Sequence, residues 1–306
     1  MTVARDLPAA KRGSVRAAVA AALAMCAAAC SPPAALNALD LASGGGSGVE
    51  RVATGVAFGA RGQTLDVWAS QGGAASRPVL IFYHGGGWVK GRRQDYGFAA
   101  RAFAARGFVV VVPDYRKVPG VRFPAFLQDG ADAVRWTRDN IARFGGDASR
   151  LALAGHSAGG YTVAMLALDR QWLKAAGVDP NIVRAGVGLC GPYDFYPWTS
   201  KRAVDAMAGV ADPQITQPIR FARRDAPPLL LVTGTEDITV RPRNAINLTA
   251  ALKALGAPVE LRNYSGLDHE DIIMALSKPF RGKGPVLADS VAFLDRVLAP
   301  AKRKAA

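Results

Sequence analysis

The residues most able to carry chemistry in this chain surround Ser157. Residues 151–160 read LALAGHSAGG, so an apolar run leads into Gly-x-Ser-x-Gly and then into an alanine- and leucine-rich stretch typical of a helix. This succession of strand, sharp turn and helix is the context in which such a serine becomes a nucleophile. Glycine stands two residues to either side because a larger side chain would clash where the chain doubles back. We therefore predict that Ser157 presents its hydroxyl on an exposed turn.

A second motif follows another apolar run, where residues 79–88 read VLIFYHGGGW. Three consecutive glycines suit a loop whose backbone N–H groups approach a ligand oxygen without obstruction by side chains. The N–H of Ala158 lies at the start of the predicted helix, where the helix dipole favours an anion. We predict that the N–H groups of Gly86, Gly87 and Ala158 form an oxyanion hole.

A serine nucleophile needs a general base at neutral pH, usually a histidine. The chain has three histidines. His156 adjoins Ser157, and a neighbour on such a turn projects away from the hydroxyl. His84 belongs to the glycine loop, where a histidine more often serves as a structural hydrogen-bonding group. His269, in the segment YSGLDHED directly after the last predicted strand, is therefore the predicted base.

The base in turn needs an acidic partner that orients its ring and balances the imidazolium charge. Asp237 follows an apolar run in the segment LLLVTGTEDITV and completes the order Ser, Asp, His along the chain. Glu236 is the nearest rival. Asp268 and Asp271 are too close in sequence to His269 to be its usual partner. Asp237 is therefore the predicted third member of a triad.

These motifs must be positioned by the elements around them. Eight short runs have the length and the valine, leucine, isoleucine and aromatic content of strands. They are residues 52–58, 64–69, 79–83, 108–112, 151–154, 185–189, 229–232 and 259–264. Five helical patterns lie between them, at residues 94–105, 124–144, 157–168, 243–255 and 286–298.

The alternation of strands and helices predicts an α/β fold with a mostly parallel central sheet and helices on both faces. Residues 59–62, GARG, suit a hairpin between the first two strands, which predicts an antiparallel start. The irregular stretch from residue 191 to 226 is predicted to be a small cap insertion over the carboxyl edge of the sheet.

Composition excludes several classes of protein. The 306 residues are 50% hydrophobic and 20% charged, which is too apolar for a disordered polyelectrolyte and sufficient for a large core. The net charge of +14 comes from bases spread along the chain without a stripe of stacking aromatics, so no nucleic-acid partner is predicted. Three cysteines, at 26, 30 and 190, and three scattered histidines suit neither a disulfide scaffold nor a structural zinc cluster. No metal or cofactor is expected.

Residues 1–30 are predicted to be a signal peptide. Basic residues precede an apolar run from Ala17 to Cys30, which is shorter than the roughly 20 residues that a spanning helix needs. The small residues before Cys30 resemble a bacterial lipoprotein signal, so lipidation of Cys30 is predicted. An ordinary cleaved signal and an uncleaved anchor are the alternatives. The protein is thus expected to be exported, at the periplasmic face of a bacterial membrane as a lipoprotein, or periplasmic or secreted.

The rest of the chain divides into three predicted parts. A polar, glycine-rich composition predicts that residues 31–49 are a flexible linker. Residues 50–299 are the predicted catalytic domain, and residues 300–306 a basic tail.

The glycine loop and the serine turn resemble the HGGG and GxSxG motifs of α/β-hydrolase fold esterases and lipases. The resemblance covers residues from about 50 to 298, and three further segments are similar to that group. They are PDYR at 113–116, FGGD at 144–147 and GPYDF at 191–195. The resemblance implies the α/β-hydrolase fold.

Within that group, the chain is most similar to a branch with a short cap. Two predicted strands precede the glycine loop, and His156 precedes the serine. Both features resemble the branch that includes feruloyl esterases, acetyl-xylan esterases and kynurenine formamidases. Asp268 stands where a glycine is common, which is a departure in the loop before His269.

The resemblance and the predicted triad imply a serine carboxylesterase that cleaves a carboxylic ester through an acyl-enzyme. An arylformamidase-type amidase with the same triad is one alternative, and a non-catalytic binding protein on a hydrolase fold is another. The expected partner is a small-molecule ester, with a membrane tether through lipidated Cys30. The candidates for lining an apolar substrate pocket are Trp88, Tyr161, Tyr193 and Tyr196. The acyl length, the alcohol and the oligomeric state do not follow from the sequence.

Overall fold

The computed structural model describes residues 32–72 and 76–299. The predicted signal peptide, Cys30 and the predicted basic tail at 300–306 lie outside the described residues. In the described part, no helix combines the length and the apolar character that crossing a membrane requires.

A single eight-stranded sheet organises the fold, in the order β1-β2-β4-β3-β5-β6-β7-β8. The strands are β1 (Val49–Phe58), β2 (Gln63–Ser70), β3 (Arg77–Tyr83), β4 (Val109–Pro113), β5 (Gly146–His156), β6 (Val183–Leu189), β7 (Leu229–Gly234) and β8 (Val259–Tyr264). The β1–β2 and β2–β4 pairs are antiparallel, and the other neighbouring pairs are parallel. The eight predicted strands and the hairpin at residues 59–62 are confirmed.

Nine α-helices connect the strands of the described part. They are α1 (Pro32–Ala42), α2 (Gly97–Ala104), α3 (Ala125–Asn140), α4 (Ala158–Leu168), α5 (Gln171–Ala175), α6 (Lys201–Met207), α7 (Arg243–Ala254), α8 (His269–Met274) and α9 (Val286–Leu298). The five predicted helices are present, whereas α1, α5, α6 and α8 were not predicted. The last three have five to seven residues, too few for a clear helical period.

Side chains alternate between the two faces of the sheet, and helices cover both faces. Leu80 and Phe82 of β3 pack on one face with residues of α2, α8 and α9. Val79 and Ile81 of the same strand pack on the other face with residues of α3, α4 and α7. The prediction of a mostly parallel sheet between two helical layers is confirmed.

The predicted cap lies between β6 and β7. It contains α6 and two short 3₁₀ helices, Pro213–Thr216 and Pro218–Phe221. Ala203, Ala206 and Met207 of α6 form a buried cluster with Trp88 and with residues of α4. The cap is therefore held against the loop that follows β3 and the helix that follows β5.

The prediction of a flexible linker at residues 31–49 is wrong, because residues 32–42 form α1 and residues 43–48 form turns. Asp40 of α1 is 1% exposed, and its Oδ2 accepts hydrogen bonds from Nε and Nη2 of Arg101 at 2.9 and 2.7 Å. Its Oδ1 accepts a third from the N–H of Lys278 at 2.7 Å. The glycine-rich composition did not reveal these contacts, because both partners are distant in sequence.

Candidate active site

Ser157 occupies the sharp turn between β5 and α4. Its backbone has φ +56° and ψ −119°, a conformation that L-residues rarely adopt and that surrounding structure must enforce. A Cβ at Gly159 would lie 2.0 Å from the carbonyl oxygen of Tyr83, and a Cβ at Gly155 would lie 2.5 Å from backbone atoms of Gly159. Both glycines are therefore required by close backbone approach.

The glycine loop follows β3 on the adjacent strand. Gly86 has φ +126° and Gly87 has φ +60°, and a Cβ at Gly86 would lie 2.1 Å from the carbonyl oxygen of Lys90. In the part of the chain that the structure describes, the N–H groups of Gly86, Gly87 and Ala158 donate no hydrogen bond to the protein. All three residues line one cavity with Ser157, so their N–H groups are available to a ligand oxygen.

Asp237 and His269 meet although 31 residues separate them in the chain. Nδ1 of His269 lies 2.8 Å from Oδ2 of Asp237, and both side chains are buried. Oδ1 of Asp237 accepts hydrogen bonds from the N–H groups of Thr239 and Val240 at 3.0 and 2.7 Å. The carboxylate is therefore fixed on one side by its own loop and on the other by the imidazole.

The other acidic residues near His269 have different partners. Glu236 is exposed, and its carboxylate accepts a hydrogen bond from the hydroxyl of Thr235. Asp268 caps α8 by accepting hydrogen bonds from the N–H groups of Glu270 and Asp271. The unusual aspartate before His269 thus starts the helix on which His269 is the first residue.

Ser157 and His269 line the same cavity, which has a volume of about 680 Å³. No hydrogen bond joins Ser157 Oγ to His269 among the described residues. Such bonds are often long in unliganded hydrolases and shorten when substrate binds. The cavity therefore brings the predicted nucleophile, base and N–H donors to one place, with the hydroxyl free to rotate.

The wall of this cavity includes the start of α1, the glycine loop, the cap, the loop after β7 and the start of α7. The lining residues outside the triad and the N–H donors include Pro32, Pro33, Trp88, Pro192, Phe195, Thr199, Ala203, Ile238, Val240 and Asn244. Because α1 was predicted to be part of a linker, its contribution to the wall was missed.

Three of the four aromatic residues that were predicted to line the substrate pocket do not line it. Trp88 lines the cavity, but Tyr161, Tyr193 and Tyr196 do not. Tyr161 and Tyr193 are fully buried, the former edge-on against Trp88 with ring centroids 5.3 Å apart, and Tyr196 is exposed outside the cavity. Phe195 lines the cavity instead. Sequence could not distinguish these rings, because the path of the cap decides which one faces the cavity.

His156 lines the same cavity, but its ring is engaged by the segment that carries the base. Its Nε2 donates a hydrogen bond to the carbonyl oxygen of His269 at 3.2 Å, and the two rings are 4.7 Å apart. Burial, with the neighbouring charge of His269 as a second cause, holds the pKa of His156 well below its ordinary value. His156 is therefore neutral near pH 7 and supports the segment that carries the base.

His84, unlike His156, is held away from the cavity. Its ring is fully buried and stacked on Tyr115 with centroids 4.3 Å apart, and its Nε2 lies 3.6 Å from Oδ1 of Asp114. His84 does not line the cavity. Its position suits a structural role at the base of the glycine loop.

One group of three potential metal ligands exists among residues 32–72 and 76–299. The ligand atoms of His156, Cys190 and His269 lie within 4.8 Å of one another. Burial, followed by the charge of Asp237, raises the pKa of the Cys190 thiol well above its ordinary value, which disfavours the thiolate that metals prefer. A metal ion there would also occupy a nitrogen of His269, so the geometry fits proton transfer better than metal binding.

Comparison with known proteins gives both a family and a set of relatives. The family model described as BD-FAE matches residues 65–252. Esterase LipC of Mycobacterium tuberculosis is 35% identical over 213 residues, which are 63% of this chain and 53% of that protein. The isoprenylcysteine alpha-carbonyl methylesterase ICME of Arabidopsis thaliana is 27% identical over 248 residues, 74% of this chain and 58% of that protein. The chain thus spans little more than half the length of these relatives.

Solved structures share the fold. A truncated carbohydrate esterase from gut microbiota superposes with a TM-score of 0.69 at 19% identity, covering 83% of this chain and 97% of the other. Butyrate-bound esterase 2 of Thermogutta terrifontis superposes with a TM-score of 0.67 at 21% identity, covering 84% and 97%. At this identity the likeness establishes the architecture and leaves the activity to be argued from the site.

Proposed function

Since the chain belongs to the BD-FAE family, we propose that it is a serine carboxylesterase with Ser157 as nucleophile, His269 as general base and Asp237 as the residue that orients the base. One observation carries the proposal: His269 is hydrogen-bonded at 2.8 Å to a buried, fully ligated Asp237 and lines the same cavity as Ser157. An incidental surface histidine would be exposed and would not be hydrogen-bonded to a buried carboxylate.

The first half of the reaction forms an acyl-enzyme. Nε2 of His269 accepts the proton of Ser157 as Oγ attacks the ester carbonyl carbon. The carbonyl oxygen becomes an oxyanion, which accepts hydrogen bonds from the free N–H groups of Gly86, Gly87 and Ala158. The tetrahedral intermediate then collapses. The ester C–O bond breaks, and the leaving alcohol takes the proton from His269.

The second half hydrolyses the acyl-enzyme by the same proton path. His269 accepts a proton from water as its oxygen attacks the acyl carbon, and the carboxylic acid leaves while Ser157 recovers its proton. Throughout, Asp237 keeps the imidazole in the tautomer that bears hydrogen on Nδ1 and stabilises the transient imidazolium. Each proton is returned, so the cycle needs no further reactant besides water.

The names of the relatives support an ester as the substrate. LipC is named an esterase, ICME a methylesterase and NlhH of Mycobacterium tuberculosis a carboxylesterase, the last matching 91 residues at 45% identity, 29% of this chain and 28% of that protein. The arylformamidase-type alternative uses the same triad. Turnover of N-formylkynurenine compared with turnover of an acetyl ester separates the two activities.

The central experiment measures hydrolysis of p-nitrophenyl acetate by Ser157→Ala. We expect kcat to fall by about 10³-fold or more, because the covalent step is removed while the oxyanion donors remain. Ser149→Ala is the matched control: Ser149 is exposed at the opposite end of the same strand, β5, and its substitution leaves activity unchanged. Undiminished hydrolysis by Ser157→Ala would exclude this site, and folded but inactive wild-type protein would favour a binding function.

We further propose export, with Cys30 as a lipidated residue. Support comes from the sequence: a basic segment, an apolar run of signal-peptide length and small residues ending at Cys30. Metabolic labelling with a fatty acid is expected to mark the wild type and Cys26→Ala but not Cys30→Ala. Cys26 is the control because it lies in the same apolar run. Equal labelling of all three would contradict lipidation.

A further inference from the structure

The cavity that holds Ser157 is strongly cationic. Five basic residues line it, and they are Lys90, Lys201, Arg202, Arg241 and Arg243. Glu270 is the one acidic residue that lines it. The lining of the cavity that holds the candidate catalytic serine therefore carries an excess of positive charge.

Most of these cations lack a counter-ion. Lys201 is paired with Asp205 at 2.8 Å. In the described part of the chain, no ion pair or hydrogen bond is formed by the charged groups of Lys90, Arg202, Arg241 or Arg243. Several arginines in other parts of the fold are paired with acids, as Arg93 is with Asp66 and Asp114 and Arg101 is with Asp40.

Two of these arginines lie at a helix N-terminus, where a positive charge is electrostatically unfavourable. Arg243 is the first residue of α7, Arg241 precedes it by two positions, and the first turn of that helix has no acidic residue. A cation at a helix N-terminus is repelled by the helix dipole. Stability alone does not account for placing two of them there, whereas binding an anion does.

Arg202 is packed directly against the oxyanion loop. A Cβ at Gly87 would lie 2.8 Å from Cδ of Arg202. The side chain of Arg202 therefore packs on the glycine loop from the cap, while Arg241 and Arg243 line the cavity from the loop before α7 and from its first residue. A molecule bound in the cavity with Ser157 thus meets arginines that two different parts of the fold supply.

We propose that the substrate is an ester bearing an anionic group, a carboxylate, sulfate or phosphate, on the part of the molecule nearest to Arg202, Arg241 and Arg243. Guanidinium groups match the planar geometry of these anions and form charge-assisted hydrogen bonds with them. A cleft lined by one sign of charge also raises the rate of encounter with ligands of the opposite sign. The inference rests on the proposed esterase function and specifies its substrate class.

The test compares two aryl acetates that differ mainly in charge, anionic 4-acetoxybenzoate and neutral 4-acetoxybenzamide. The full-length protein is assayed in mild detergent, and each kcat/KM is divided by the rate constant for hydrolysis by hydroxide. We expect the corrected ratio to favour the anion by about tenfold at low salt, since several exposed cations contribute modestly each. Raising NaCl from about 20 to about 500 mM should reduce the ratio several-fold by screening.

Substitutions of the cavity arginines test whether these residues cause the preference for the anionic ester. The double variant Arg202→Gln with Arg241→Gln is expected to lower the anion-to-neutral ratio about tenfold. Arg184→Gln is the matched control, because Arg184 is exposed and lies at the amino end of β6, opposite the edge that carries the site. Equal corrected rates for the two acetates, together with no stimulation by phosphatidylglycerol in vesicles and with hydrolysis still dependent on Ser157, would overturn the substrate class and leave the esterase function intact.

A vesicle assay distinguishes the sources of the anion. Release of fatty acid from phosphatidylcholine vesicles is compared with and without phosphatidylglycerol. Preference for the anion in solution identifies a small soluble ester, and stimulation by phosphatidylglycerol alone identifies a lipid headgroup; either result supports the proposal. Hydrolysis of neither aryl acetate nor either vesicle would contradict the esterase function, and the substrate class with it.

Discussion

Asp237 shows how a single residue acquires a role from its partners. Two backbone N–H groups and one imidazole N–H donate to its carboxylate, which is 2% exposed. Glu236 precedes it in the chain and points to solvent. The difference between the two acids lies in geometry, since either carboxylate could balance an imidazolium charge.

Replacing Asp237 with Asn should lower kcat by about 10³- to 10⁴-fold, because an amide can impose the wrong tautomer on His269 and cannot stabilise its charge. The measurement is the steady-state hydrolysis of p-nitrophenyl acetate, with circular dichroism to confirm folding. Glu236→Gln is the control and should retain activity within about twofold. If Glu236→Gln were the inactive variant, the assignment of the acid would be reversed.

His156 predicts a pH dependence of stability. Its pKa is lowered in the folded protein, so below about pH 6.5, the ordinary value, the unfolded chain binds a proton that the folded protein does not. The free energy of unfolding therefore decreases as pH falls from 6.5, by up to about 1.4 kcal/mol per pH unit. Urea unfolding at pH 7.5 and 5.5 should show a smaller difference for His156→Gln than for the wild type. If the difference in the free energy of unfolding between pH 7.5 and 5.5 were the same for both proteins, His156 would not be the group responsible for it.

At the scale of elements, the site depends on how closely two strand ends approach each other. The turn after β5 and the loop after β3 come within contact distance because Gly159 faces the carbonyl oxygen of Tyr83. The predicted serine turn and glycine loop lie on neighbouring strands of the sheet. Parallel strands place their carboxyl ends at one edge, which is why two distant motifs share one cavity.

Gly159→Ala tests this approach. The added Cβ would lie 2.0 Å from a backbone oxygen, so the turn must shift, and we expect a loss of about 3 kcal/mol in the free energy of unfolding and of most activity. Gly282→Ala is the control, because a Cβ there meets nothing within 4 Å. Thermal or urea unfolding measures both. If Gly159→Ala were as stable as the wild type, the backbone at Gly159 would not lie this close to the carbonyl oxygen of Tyr83.

The strands and both site motifs could be predicted from the sequence. Strand positions followed from short β-branched runs, and the two glycine motifs followed from their surroundings, because both are local properties of the chain. Helices α5, α6 and α8 could not be predicted because they are short, and α1 could not be predicted because contacts with distant residues stabilise it. Helix α1 is the clearest case, because its buried Asp40 is neutralised by Arg101 of another helix.

At the scale of the whole molecule, the net charge of +14 is unevenly balanced. Arginines such as Arg93 and Arg101 are paired with aspartates, whereas the cavity keeps several cations without counter-ions among the described residues. Helix α1 also contributes to this cavity, since its residues Pro32 and Pro33 line it. Helix α1 is attached to the body through Arg101 and the backbone of Lys278.

Asp40→Asn should weaken this attachment. It leaves the guanidinium of Arg101, which is 2% exposed, without its counter-charge, and we expect the free energy of unfolding to fall by about 3–5 kcal/mol. The double variant Asp40→Leu with Arg101→Met should recover part of the loss, because well-packed apolar groups can replace a buried pair. Urea unfolding of the three proteins provides the comparison. Equal stability of Asp40→Asn and wild type would show that the Asp40–Arg101 pair contributes nothing to the stability of the fold.

The sequence by itself determined the features that arise from short stretches of chain: the strands, the strained serine turn and the glycine loop, because backbone conformation and close approach demand particular residues there. It also narrowed the base to His269 among three histidines. Only the tertiary structure decided that Asp237 meets His269, that Phe195 rather than three tyrosines lines the cavity, and that arginines without an ion pair in the described part of the chain line the cavity that holds the serine. The physical reason is that such contacts depend on the order of strands in the sheet and on the path of the cap, which bring together residues distant in sequence.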